Sequence, residues 1–423
     1  MKLTAIVLCA VFFVGCKKKG IQEGNEVNKK PKEAVKQPII AEEGAKGGGA
    51  QLDITVPVEM GWKSVTVDSG RNTGYYNSLG HGIDGGVAIA YYDATKGDLK
   101  CAMYAEDGEV ASWNVDLVDS LGDVGLRPSL EHDPAGNPAI SYYDWTNRNL
   151  KYAVYRKETW VIETVDEEGD VGQFSSLHHD AEGRPGISYY DRSNGDLKYA
   201  WRNESGWRIS VVDSAGRVGL SNCLRYAPDG MPAISYYDGG KRMLKCAAFY
   251  QDEWHSVIVD DGMDPDDPDD LEKKAEVGLK SSLAFNAEGR LSIAYFDNKN
   301  AVTKYAVYQS SVEDFKYNEA PRDQWKIDAI DVIEHPGQVA SLNILPDGSA
   351  AISCNSFKER RLFYLKQSEN GWQKEPVFAA GLVGEVTSLS HAPNGRPVIA
   401  CYSETDEELR LLSWTVIPKE EVE

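Results

Sequence analysis

One unit recurs seven times along this chain, and that repetition restricts the possible folds more than any other feature. The clearest copies read PAISYYDWTNRNLKYAVY (138–155), PGISYYDRSNGDLKYAWR (185–202) and PAISYYDGGKRMLKCAAF (232–249). Looser copies run over 87–104 and 291–308, and two diverged copies begin at Ala350 and Pro397. The motif Asp falls at 93, 144, 191, 238 and 297, with Ser356 and Ser403 in its place in the diverged copies, giving spacings of 47 to 59 residues. Each unit divides into four short segments: G-x-x-x-S-L, then ISYYD, then LKYA, then a segment that opens on Trp and closes near Val-Asp.

Three positions recur in all seven units. A Gly opens each one (Gly74, Gly125, Gly172, Gly219, Gly278, Gly337, Gly384), and a second Gly sits in its first hairpin, from Gly85 to Gly395. Turns that need positive φ select Gly because it has no Cβ. The recurring Trp stands at 62, 113, 160, 207, 254, 325 and 372, and a large ring at one register reads as packing between neighbouring units.

Four short antiparallel strands per unit, repeated seven times, describe an all-β fold, a seven-bladed β-propeller. The ends of the chain fit ring closure. Trp62–Asp68 is a last-strand segment with no unit before it, and Leu409–Val416 is a third-strand segment with no fourth strand after it. The N-terminal strand is therefore expected to complete the last blade, which removes the exposed sheet edges of an open array. The expected organisation is a leader over 1–16, a tether over 17–50, one propeller over 51–418 and a tail over 419–423.

The leader, MKLTAIVLCAVFFVGC, has a basic start and an apolar run too short to span a membrane comfortably. Its end, Phe13-Val14-Gly15-Cys16, resembles the lipobox of bacterial lipoproteins, although Leu is commoner where Phe13 stands. The resemblance implies that Cys16 is lipidated and becomes the mature N-terminus. The plainer alternative is a secretory signal with a chance Cys. Both take the chain out of the cytoplasm, and the lipid would hold it to a membrane of the cell envelope, the outer membrane being the expected one. Residues 17–50, rich in Lys, Glu, Gly and Pro, read as a flexible tether.

The repeat resembles those of secreted bacterial β-propellers in the broad sialidase-like or lectin-like sense. It lacks the Ser-x-Asp-x-Gly-x-Thr-Trp box of sialidases and the Gly-His and Trp-Asp signatures of WD40 repeats. The resemblance implies architecture and leaves activity open.

Charge narrows the partners. The 423 residues carry a net −21, with nine Lys and five Glu giving +4 to residues 1–50 and leaving −25 on the remainder. Nucleic acid is excluded as a phosphate-bound partner. Two sets of Asp are expected on one face, at the ends of the YYD segments (Asp93, Asp144, Asp191, Asp238, Asp297) and of the Val-Asp segments (Asp68, Asp119, Asp166, Asp213, Asp260, Asp331). They could form a carboxylate ring that attracts cations or a basic surface. The reading preferred here is that each caps its own turn.

Positions that differ between copies point to a ligand site. The pairs preceding the recurring Ser border the channel mouth, and blades one to five offer aromatic, cationic and amide groups there. Tyr76, Asn77, Arg127, Phe174, Asn222 and Lys280 are the candidate ligand-binding residues, and drift on loops under little constraint is the alternative. His81, His132, His179 and His391 recur in four adjacent blades and could suggest a metal. The same position is Tyr226, Phe285 and Ile344 elsewhere, so packing is preferred. Cys101, Cys223, Cys246, Cys354 and Cys401 read as buried free thiols. An insertion over 261–276 carries Asp264, Asp266, Asp267, Asp269 and Asp270, which could chelate Ca²⁺. It lacks the Gly and terminal Glu of an EF-hand loop, so a solvated acidic loop is preferred and no cofactor is expected.

The expected function is an envelope-anchored binding or scaffold module, monomeric, for a protein, peptide or glycan. The alternative is a secreted polysaccharide hydrolase or lyase that uses mouth carboxylates. No Gly-x-Ser-x-Gly, His-Glu-x-x-His or Walker loop is present, so no catalytic residues are assigned.

Overall fold

Every repeat forms a four-stranded antiparallel meander, and seven such sheets make up the structure. It is a computed structural model that describes residues 58–82, 85–107, 110–264, 274–286, 288–310, 324–334, 336–356, 358–377 and 383–418. Blades 1 to 6 follow the chain order, and their first strands begin at Thr73, Val124, Val171, Val218, Val277 and Pro336. The seventh sheet joins Val383–His391, Pro397–Ser403 and Glu408–Pro418 to the N-terminal strand Val58–Asp68. That strand runs antiparallel to Glu408–Pro418 with Trp62 opposite Trp414, which is the closure expected from the sequence. The leader, with Cys16, and the tether lie outside the described residues, as do Asp266, Asp267, Asp269 and Asp270.

The first strands touch one another all round the ring, so they are innermost. The second strands are sandwiched between blades. In blades 2 to 7 every residue of the second strand is buried, which explains why this segment is the best preserved part of the repeat. The fourth strands are mostly exposed or half-buried and become buried only near their ends, as outer strands should. The core lies between blades. Ala88, Ala90, Leu99 and Cys101 of blade 1 pack on Leu130, Ile140, Tyr142 and Ala153 of blade 2. Each fully buried Leu or Ile contributes roughly 1.5–3 kcal/mol, so neighbouring blades stabilise each other.

Two recurring residues acquire physical roles. The Ser of the G-x-x-x-S-L segment accepts a hydrogen bond from the backbone N–H of the Leu in the next blade. The bonds run Leu130 to Ser78, Leu177 to Ser129, Leu224 to Ser176, Leu342 to Ser282, Leu389 to Ser341 and Leu79 to Ser388, at 2.9–3.1 Å. In the remaining step the thiol of Cys223 takes the place of the hydroxyl and accepts from the Leu283 N–H at 3.3 Å. These innermost strands have no sheet partner on their channel side, so side chains satisfy donors that would otherwise be orphaned. The recurring Trp also links blades. Trp160 donates to Asp116, Trp207 to Glu163 and Trp62 to Glu375, each in the blade before.

Both glycine sets answer a steric demand. All seven hairpin glycines have φ between 73° and 89°. A Cβ on Gly172 would lie 2.7 Å from the Leu150 Cα of the preceding blade, so this opening position needs Gly for close approach as well as for its φ of 104°. All five cysteines of the described residues are free and buried.

Candidate functional site

The ends of the YYD and Val-Asp strands do gather on one face, but apart from Asp331, which is exposed, their carboxylates are engaged inside the protein. In blades 1 to 5 the Lys of LKYA and the first Tyr of YYD converge on the Asp that ends the preceding blade. Lys151 lies 2.7 Å from Asp119 and 3.6 Å from Asp144, and the Tyr142 hydroxyl donates to Asp119 at 2.7 Å. Lys198 likewise bridges Asp166 and Asp191 at 3.4 and 2.9 Å. The remaining oxygens cap turns, with Leu121 N donating to Asp119 and Asn147 N to Asp144. Burial by itself raises the Asp119 carboxyl; hydrogen bonds from Lys151, Tyr142 and Leu121 N outweigh it and hold the group below its ordinary value. The capping role is thus the one the structure gives these residues, with a buried Lys added.

The diverged blades lose this module as a set. In blade 6 the Tyr, Asp and Lys become Cys354, Ser356 and Phe363; in blade 7 they become Cys401, Ser403 and Arg410. A buried Lys without its carboxylates would be an uncompensated charge, so its members change together.

The pairs before the recurring Ser separate into two roles. The first residue sits in a β-bulge of the innermost strand with positive φ: Tyr76 50°, Arg127 52°, Phe174 56°, Ser221 49° and Lys280 50°. A non-Gly residue held there costs about 1–3 kcal/mol, and such strain collects at functional sites. The bulge turns these side chains to the mouth. The second residue faces the preceding blade. Asn222 is buried, accepts from Ser188 Oγ at 2.5 Å and donates to the Gly219 carbonyl at 2.9 Å. Asn77 is also buried and donates to the Gly74 and Val386 carbonyls at 3.1 and 3.4 Å. These two amides therefore hold the blades together and point away from the mouth.

Three of the sequence candidates meet. The Arg127 guanidinium lies 4.7 Å from the centroid of the Tyr76 ring and 4.4 Å from that of Phe174, sandwiched between blades 1 and 3. Its side chain makes no hydrogen bond or ion pair with the described residues. Tyr75 and Tyr402 extend the aromatic surface on one side, with ring centroids 4.2 Å apart. On the other side Phe174 packs on the Tyr190, Leu220 and Tyr237 cluster. Lys280 stands farther round the mouth, in blade 5.

The histidines sit at the other end of the innermost strands. His81 Nδ1 meets Ser390 Oγ at 2.7 Å and His391 Nε2 meets the Tyr364 hydroxyl at 3.1 Å. Burial lowers His81, His179 and His391 to about 4, so they are neutral at physiological pH. Among the described residues, no three His, Cys, Asp or Glu side chains gather closely enough to hold a metal ion. Asp264 is half-buried at the edge of the acidic insertion.

One group on the mouth face is missing from the sequence candidates. Trp145, in the turn after the blade 2 YYD, is 40% exposed, alone among the tryptophans of the described residues. It belongs to a cavity of about 300 Å³ lined by Tyr143, Trp145, Thr146, Arg148, Asp170 and Arg192. A signal was there to be read: Trp145 is one of three tryptophans, with Trp201 and Trp414, that stand off the recurring register.

No family model matches the chain, and no curated protein matches it in sequence. Solved structures are similar to it in fold. A polysaccharide lyase, Uly1, aligns with a TM-score of 0.51 at 9% identity, over 84% of this chain and 99% of that one. An ulvan lyase of polysaccharide lyase family PL25 aligns with a TM-score of 0.50 at 12% identity, over 82% and 95%. A protein of unknown function from Dyadobacter fermentans gives 0.47 at 10% identity, over 84% and 100%. At these identities the likeness is one of fold, which is all that such similarity carries.

Proposed function

We propose that this chain is a membrane-anchored extracytoplasmic binding propeller that recognises a protein, peptide or glycan on its mouth face, with Cys16 carrying the anchor. The observation that carries the binding reading is the Tyr76–Arg127–Phe174 sandwich. Three successive blades accept a strained bulge residue to build it. The two rings fix the plane of the guanidinium, so its N–H edges are preorganised for a carboxylate, sulfate or carbonyl acceptor. The mouth aspartates around blades 1 to 5 are poor candidates for the paired catalytic carboxylates of a glycosidase, since Asp119 and Asp191 are tied to a Lys and Asp119 and Asp144 to a Tyr or their own turn.

The test is a glycan array together with a pull-down from envelope extracts, using the full chain and its Arg127→Asn variant. Asn tolerates the left-handed backbone there, so the fold should be kept. The expected result is a ligand retained by the parent and lost by the variant. A ligand that both proteins retain equally would place binding elsewhere. The anchor is tested by Cys16→Ala, which should release the chain from the membrane fraction.

The second reading is a polysaccharide lyase or hydrolase. One observation favours it: Glu131 and His178, on neighbouring innermost strands, lie 4.0 Å apart with Arg225 close by. These groups lie outside the set of mouth carboxylates expected to act. Depolymerisation of acidic or neutral polysaccharides, abolished by Glu131→Gln, would replace the binding reading with this one.

A further inference from the structure

The cavity beside Trp145 has a composition unlike the rest of this acidic protein. Tyr143 and Asp170 form its floor. The Tyr143 hydroxyl donates to Asp170 Oδ1 at 2.7 Å, and Arg192 Nη1 reaches Asp170 Oδ2 at 3.2 Å. Burial and then this hydrogen bond push the Tyr143 hydroxyl up to about 12, so it remains a neutral donor. Asp170 thereby fixes Tyr143 and compensates one charge of the site, while Arg192 stays more than half exposed. Trp145 stands perpendicular to Tyr143, with ring centroids 5.9 Å apart. Arg148, at φ 63° in the same turn, is exposed and makes no side-chain hydrogen bond or ion pair with the described residues.

The same rim carries further cations in the next two blades. Arg217, Lys241, Arg242 and Lys274 have no side-chain hydrogen bond or ion pair with the described residues. Burial, and then the charge of Arg242, lowers the Lys274 ammonium, so these groups are close enough to feel each other. A chain with 66 acidic and 45 basic residues has ample carboxylates to pair its cations. Here a row of cations has no hydrogen-bonded or ion-paired carboxylate among the described residues, beginning at an exposed indole.

We propose that the cavity between the turns of blades 2 and 3 is a subsite for one acidic sugar unit of a polysaccharide. Trp145 stacks on the sugar ring, Arg148 and Arg192 hold its carboxylate or sulfate, and the cations of blades 4 and 5 carry the following anionic units. An indole face suits the C–H surface of a pyranose, and guanidinium groups suit planar or tetrahedral oxyanions. A cavity of about 300 Å³ has room for a single ring rather than for a folded peptide segment. This inference rests on the reading of the mouth face as a binding surface and names its ligand class.

The test is calorimetric titration of the full chain with polygalacturonate, dextran sulfate and uncharged dextran. Binding of at least one charged polymer is expected, with dextran at least tenfold weaker. Polygalacturonate against dextran sulfate then separates carboxylate from sulfate recognition. Trp145→Ala should weaken the charged polymer at least tenfold. Arg148→Asn, which suits the positive φ, should weaken it several-fold and reduce its sensitivity to salt. Both variants should melt as the parent does, because neither side chain is buried. Lys157→Asn, a cation in the turn between the third and fourth strands of blade 2, should bind as the parent. Equal binding of dextran, unchanged binding by Trp145→Ala, or no binding of any polymer would overturn the subsite. Loss of polymer binding on Arg127→Asn but not on Trp145→Ala would end the subsite and keep the mouth-face reading. A protein ligand found by pull-down, with no polymer bound, would do the same.

Discussion

The smallest repeated device is the serine that receives the N–H of the next blade's leucine. Ser129→Ala leaves the Leu177 N–H buried without an acceptor, and the expected loss is about 1–3 kcal/mol. Chemical denaturation should report it as a lower midpoint with an unchanged slope. Cys223→Ser restores the hydroxyl used in the other six blades, and its stability should equal or exceed that of the parent by the same measurement. The buried lysines behave differently because charge is involved. Lys198→Met removes the cation between Asp166 and Asp191 and leaves two carboxylates facing each other, at an expected cost of about 3–5 kcal/mol. A loss below 1 kcal/mol would mean that turn hydrogen bonds alone hold those carboxylates.

At the scale of the strand, closure depends on Val58–Asp68. It pairs along its length with Glu408–Pro418, and Trp62 donates to Glu375 in blade 6. A chain lacking residues 58–68 exposes a full strand edge on the last blade and loses that link. It should melt at a clearly lower temperature and form oligomers in sedimentation experiments. A monomer with the parental melting temperature would show that the ring does not need its fourth strand there. The bulged innermost strands illustrate the opposite balance. Among the described residues they hold five non-Gly residues at positive φ, and three of these form the Arg127 sandwich. Local stability is given up where the mouth is built.

Across the whole molecule, acid stability is set first by the buried histidines. His81, His179 and His391 have folded-state values near 4 because burial disfavours their charged form. The unfolded chain, near 6.5, therefore binds more protons between about pH 6.5 and 4, and stability falls as pH drops through that window. A single such group contributes on the order of 2–3 kcal/mol of this loss by pH 4.5. His179→Phe, which copies Phe285 at the equivalent position, should flatten the fall in melting temperature between pH 7 and 4.5. The aspartates held low, Asp119, Asp191 and Asp213 among them, act in the same direction but only below about pH 4. An unchanged profile for His179→Phe would show that the ring takes up its proton without penalty.

The architecture was legible in the sequence, because seven copies of one unit cannot bury their apolar faces except against each other. The register of Trp62–Asp68 and Leu409–Val416 told where the ring closes, and the recurring Gly and Trp told which positions are sterically fixed. Tyr76, Arg127 and Phe174 were legible only as positions that differ among copies, and their stacking came from the structure. What the tertiary structure decided is which member of each pair faces the mouth, since a bulge sends Tyr76 and Arg127 outward and Asn77 and Asn222 inward. It also decided that the motif aspartates are buried partners of Lys and Tyr rather than an exposed ring, and that Trp145 stands over a cavity. The physical reason is the same in each case. Periodicity records contacts that repeat, whereas a side chain's direction at a bulge, its ion-pair partner one blade away and a cavity between two turns arise only when the blades are set side by side.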